Sequence, residues 1–108
     1  MKNFLVISCC LISTQIWAQS YSGPESVDYD AISNRYFISN TGTGQILARE
    51  TDGALSVFAT TGSGPHGLEV IGNEIYACSG SRLKAYDLAT GAETVNINLG
   101  AGFANGIT

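Results

Sequence analysis

The chain has 108 residues, 44% of them hydrophobic, with 5 basic against 9 acidic side chains and a net charge of −4. No basic patch or stripe is present, which excludes the electrostatic footprint of a nucleic-acid-binding domain. The acidic residues are scattered singly, as on a solvated surface, and form no tail.

Met1-Lys2-Asn3 is a short basic start, and Phe4 to Ile12 is apolar apart from Ser8. Ser13-Thr14-Gln15 follows, and then Ile16-Trp17-Ala18, which ends in a small residue. This order of basic, apolar and small-residue regions is that of a secretory signal peptide over residues 1–18, cut near Ala18 or Gln19. It places the chain outside the cell or in the periplasm. A membrane span needs about 20 apolar residues, roughly twice this run. Val6-Ile7-Ser8-Cys9 resembles a lipoprotein cleavage box, but too few apolar residues precede it for a normal hydrophobic region. Cys9 and Cys10 leave with the leader, so Cys78 alone remains and no internal disulfide can form. Loss of Lys2 leaves 4 basic and 9 acidic residues, a net charge of −5.

After a short segment, 19–23, the chain repeats itself. Pro24-Glu25-Ser26-Val27-Asp28-Tyr29 matches Pro65-His66-Gly67-Leu68-Glu69-Val70 at a spacing of 41, and Ala104-Asn105-Gly106-Ile107-Thr108 begins a third copy 39 residues later. In the first unit, Arg35 to Ser39, Gln45 to Arg49 and Leu55 to Ala59 are strand-forming runs, parted by Asn40-Thr41-Gly42-Thr43-Gly44 and Thr51-Asp52-Gly53. In the second, the strands are Gly67 to Ile71, Glu74 to Cys78, Arg82 to Tyr86 and Thr94 to Leu99, with turns at Gly72-Asn73, Gly80-Ser81 and Asp87 to Gly91. Alternating apolar residues between Gly, Asn and Asp turns read as strands, and nothing after residue 20 sustains a helical period. Four strands in about 40 residues is the size of a β-propeller blade. The expected fold is all-β: blade 1 over 24–64, blade 2 over 65–103, and the first strand of blade 3 over 104–108. A lone blade cannot bury both its faces, and about three repeats are usually needed for stability. The chain therefore reads as the N-terminal fragment of a propeller, inactive by itself.

The starts Gly23-Pro24-Glu25-Ser26-Val27, Gly64-Pro65-His66-Gly67-Leu68 and Phe103-Ala104-Asn105-Gly106-Ile107 resemble those of the senescence-marker-protein/gluconolactonase/luciferin-regenerating family. Tyr36-Phe37-Ile38-Ser39-Asn40 is similar to the second strand of its blades, and NHL-repeat propellers have similar starts. The likeness covers residues 22–108. It implies a six-bladed propeller with a divalent metal, usually calcium, at the mouth of a central channel, and hydrolysis of sugar lactones or related esters. It also implies Glu25 and Asn105 as metal ligands. Glu25 follows Pro24 and precedes Ser26, a departure from the family's Glu-Gly-Pro setting. Asn105 falls in the third blade, whereas the family also uses later ones.

The residues support part of this independently. Glu25, His66 and Asn105 occupy one equivalent position in three successive repeats, so radial blades would bring them together at one end of the channel. A carboxylate and an amide oxygen suit a hard cation, and a bound cation can polarise a carbonyl or activate water. His66 and Asn40 are expected to line the channel. Each has a plainer reading: Glu25 and His66 as satisfied polar groups where strands crowd, Asn105-Gly106 and Asn40 as ordinary turns. Cys78, in an apolar strand, reads as an inert buried thiol. Two functions stand side by side, a calcium-dependent lactonase or esterase acting on a small molecule, and a non-catalytic propeller that binds a protein or glycan through its loops.

Overall fold

The computed structural model describes residues 19–100 and 102–107; the leader assigned to residues 1–18 lies outside them. Eight strands follow in order: β1 (Pro24–Asp30), β2 (Arg35–Asn40), β3 (Gln45–Arg49), β4 (Leu55–Thr60), β5 (Pro65–Ile71), β6 (Glu74–Ser79), β7 (Arg82–Asp87) and β8 (Glu93–Asn98). One 3-10 turn, Thr41–Thr43, is the sole helical element among the described residues. The strands form two four-stranded antiparallel sheets, ordered β1-β2-β3-β4 (sheet 1) and β5-β6-β7-β8 (sheet 2). Each sheet is a meander of sequential neighbours, the simplest topology short polar turns allow.

The turns explain why the chain reverses where it does. After β1, the buried Asp30 carboxylate accepts from the Ile32 and Ser33 amides at 3.2 and 3.3 Å and from the Ser33 hydroxyl. Those bonds hold the carboxyl below its usual range, the Ser33 hydroxyl contributing most. Asn34 completes the turn in the left-handed region at φ 54, which Asn tolerates better than most residues. After β7, Asp87 repeats the device, its carboxylate accepting from the Ala89 and Thr90 amides, both at 2.9 Å.

One face of each sheet packs against the other. Phe37, Ile46, Ala48 and Ala59 of sheet 1 form a single buried cluster with Leu68, Ile75, Ala77 and Tyr86 of sheet 2 and with Leu88 in the turn after β7. Phe58 meets Phe37 edge-on at 4.9 Å, and the Arg35 guanidinium lies 5.0 Å from the Phe37 centroid while donating to the Leu88 carbonyl. Each large apolar side chain so buried contributes about 1.5–3 kcal/mol. Alternation along β2 then sends Tyr36, Ile38 and Asn40 to the opposite face.

Residues 102–107 form no strand. The strand expected from Ala104 onward is not formed over residues 104–107, and Thr108 lies outside the described residues. The segment is held instead by the Ala104 amide, which donates to the Gly80 carbonyl at 2.8 Å.

Candidate functional site

The starts of β1 and β5 share an irregularity. Pro24 pairs with Asn40 and Val27 with Ile38, so β1 carries one residue more than β2 over this stretch. Pro65 pairs with Ser79 and Leu68 with Ala77, giving β5 the same excess. Proline has no N–H to give to a ladder, so a bulge at the first residue of a strand costs it nothing. The bulge takes Glu25-Ser26 and His66-Gly67 out of regular pairing and re-aims their side chains.

Close backbone approach brings the three starts together. The Ser26 hydroxyl oxygen accepts from the Leu68 amide at 3.3 Å, and the Asp28 carboxylate accepts from the Val70 amide at 2.6 Å. β1 is thereby laid beside β5. Gly67 stands where Ser26 stands in the first repeat, and a Cβ on it would meet Asn105 O at 2.8 Å and Gly106 Cα at 2.9 Å. Absence of that Cβ lets residues 105–107 lie directly on β5.

Glu25, His66 and Asn105, each one residue ahead of these contacts, consequently line one groove of about 220 Å³, with Ser26, Gly67, Leu68, Gly106 and Ile107. Glu25 and Asn105 are exposed and His66 is partly buried. Neither the Glu25 carboxylate nor the Asn105 amide takes part in a side-chain hydrogen bond or ion pair among the described residues. Both are free to meet a ligand. Phe103 packs edge-on against the His66 ring, with centroids 4.6 Å apart and planes at 71°.

Sequence reasoning did not single out Phe103. The signal was there: Gly23 and Gly64 precede the first two starts, and Phe breaks that pattern in the third.

Asn40, expected to line a channel, is not among the residues that line this groove. It is fully buried. Its amide oxygen accepts from the Ser22 amide at 2.6 Å, and its amide nitrogen donates to the Ser20 carbonyl at 3.2 Å and the Thr43 hydroxyl at 2.9 Å. The side chain thus latches the segment entering β1 onto the end of β2. Ser79, its counterpart, donates its one hydroxyl proton to the Ser63 carbonyl at 3.0 Å, with the Thr61 carbonyl also in reach at 3.4 Å, ahead of β5. Cys78 is a buried free thiol, and burial pushes its pKa up, which withholds the nucleophilic thiolate.

Among the described residues no group of three or more His, Cys, Asp or Glu is placed to hold a metal ion, and no helix is long and apolar enough to cross a membrane. Comparison with protein-family models gives no match, and comparison with curated proteins gives none.

Proposed function

We propose that the two sheets are blades of a secreted β-propeller, and that the groove at the starts of the inner strands is the ligand site of a metal-assisted lactone or ester hydrolase. The observation that carries this reading is the convergence of Glu25, His66 and Asn105 from three successive repeats on one groove. The unengaged Glu25 carboxylate and Asn105 amide oxygen are hard donors suited to calcium, which takes 6–8 oxygen ligands and accepts water among them. The donors present therefore fit as part of such a site. A bound divalent cation would supply Lewis acidity toward a substrate carbonyl. The chain's own contribution is to hold Glu25 and Asn105 toward the groove through the bulge and the Gly67 contact. Phe103 meanwhile fixes the His66 ring at the wall.

Calcium titration calorimetry on the full-length mature protein and its Glu25→Gln variant tests the proposal. Binding that is lost in Glu25→Gln supports it, and a screen of lactones and aryl esters follows. A well-folded protein that takes up no calcium would overturn the hydrolase reading.

A second reading, a non-catalytic site for a glycan or protein, draws on the groove's single carboxylate and on the exposed Phe103 ring beside His66. Aromatic faces at a polar groove suit sugar or side-chain stacking. Glycan binding by the metal-free protein, undiminished in Glu25→Gln, would favour it.

A further inference from the structure

Glu25 and His66 stand at equivalent places in the two repeats, but the chain holds them differently. Across from each bulge lies one residue of the second strand. In β2 it is Ser39, between the Asn40–Pro24 and Ile38–Val27 pairs, and in β6 it is Cys78, between the Ser79–Pro65 and Ala77–Leu68 pairs. Ser39 is completely buried and Cys78 almost so. A bulge disrupts the ladder and leaves its extra residue unpaired, and a buried backbone amide without a partner is costly. In the first repeat a hydroxyl meets this need. The Ser39 hydroxyl oxygen accepts from the Ser26 amide at 2.8 Å. The same hydroxyl donates to the Ser26 carbonyl at 3.4 Å.

The Ser26 side chain adds a third tie, its oxygen accepting from the Leu68 amide of β5 at 3.3 Å. Ser26 is therefore held at its amide, its carbonyl and its side chain. On the other side of Glu25, Pro24 has φ fixed by its ring and pairs with Asn40. The Glu25 backbone is thus fastened at both ends while the residue lines the groove. A donor fixed before its ligand arrives loses less freedom on binding. The second repeat lacks both parts of this arrangement. Gly67 has no side chain to reach across, and Cys78 offers a thiol, a weak acceptor. His66 is supported instead by the Phe103 ring, with centroids 4.6 Å apart.

We infer that Ser39 is a positioning residue for Glu25. Its buried hydroxyl clamps the first bulge and so sets where the Glu25 carboxylate stands in the groove, although Ser39 itself is not among the residues that line it. The clamp rests on contacts between β1, β2 and β5 alone and needs nothing from residues 102–107. Its effect on calcium rests on the reading of the groove as a cation site, whereas its effect on the backbone does not.

Ser39→Cys tests the inference, because Cys78 shows that a thiol fits this place in a sheet. The full-length mature protein and the variant are compared under reducing conditions by amide hydrogen exchange, urea unfolding and calcium titration. Exchange at the Ser26 amide should speed up about fivefold or more, and calcium should bind about threefold or more weakly. Ser33→Ala serves as the control. It loosens the turn at the far end of β1 by removing a hydrogen bond to Asp30, and should lower stability while leaving calcium affinity at the parent's value. Far-UV circular dichroism checks folding, and Ser39→Ala replaces Ser39→Cys if the latter is unfolded. Ser26 exchange equal to the parent's overturns the inference, as does calcium affinity that is unchanged or that falls equally in Ser33→Ala. A parent that takes up no calcium overturns the hydrolase reading instead. Exchange at Ser26 and amide nitrogen relaxation at Glu25, which should show more motion without the hydroxyl, then decide the clamp.

Discussion

Gly67→Ala connects the packing of the inner strands to the groove. A methyl group at residue 67 would lie 2.8 Å from Asn105 O, 2.9 Å from Gly106 Cα and 3.2 Å from Ile107 N. All three are backbone atoms, so no rotamer change relieves the clash. Gly67 does not have positive φ, so the alanine backbone is itself unstrained, and the substitution lowers unfolded-chain entropy by an amount worth about 0.4–1 kcal/mol of stability. Overpacking would cost about 1–3 kcal/mol if residues 104–107 stayed in place. Letting them swing away sacrifices the Ala104–Gly80 hydrogen bond, about 0.5–1.5 kcal/mol, and the His66–Phe103 edge contact, about 0.5–1.5 kcal/mol. The two costs are alike, so the segment is detached in a large fraction of molecules and the net loss of global stability stays within about 2 kcal/mol. For comparison, Phe37→Ala, in the fully buried core, should cost about 3–5 kcal/mol. The assay is urea unfolding together with amide hydrogen exchange. Gly67→Ala should keep exchange protection through β5 to β8 and lose it at the Ala104 amide. Protection at Ala104 and global stability both no lower than the parent's would refute the close approach, and with it the assembly of the groove.

Asn40→Ala removes three side-chain hydrogen bonds to Ser22, Ser20 and Thr43. Because Ser20 and Ser22 are exposed, water replaces part of what is lost, and the cost should be about 2 kcal/mol by chemical denaturation. Exchange at the Ser22 amide should speed up first. Tyr86 is buried, its hydroxyl is without a partner among the described residues, and desolvation with help from Glu93 pushes its pKa up to about 12. A folded pKa above the unfolded value of about 10 contributes stability that is whole below pH 10 and is lost as pH rises toward 12. Ultraviolet phenolate titration should show Tyr86 among the late-ionising tyrosines, alongside Tyr76, whose pKa the Glu74 side chain raises, and Tyr86→Phe should remove the latest step together with the matching fall in stability.

Local chemistry wrote the strands into the sequence. Runs such as Gln45–Arg49 are bounded by turn residues whose backbone preferences do not depend on distant partners, and the structure starts and ends β1 to β8 within about two residues of the expected place, while the strand expected from Ala104 is not formed over residues 104–107. The equivalence of Glu25, His66 and Asn105 was also legible, because a repeat gives equivalent residues equivalent positions whatever the fold.

Tertiary structure alone decided the rest. Asn40 had the composition of an open turn, yet its amide is drawn inward by backbone groups of Ser20 and Ser22, nearly 20 residues back in the chain. The shared bulge at Glu25 and His66 depends on ladder register, which no local preference records. Phe37 and Ala48 read as strand residues like any others, but which sheet face meets a neighbour is settled only when two sheets pack. Turns and strands arise from short-range backbone energetics, whereas latches, bulges and the packed faces arise from contacts between segments that the chain brings together late.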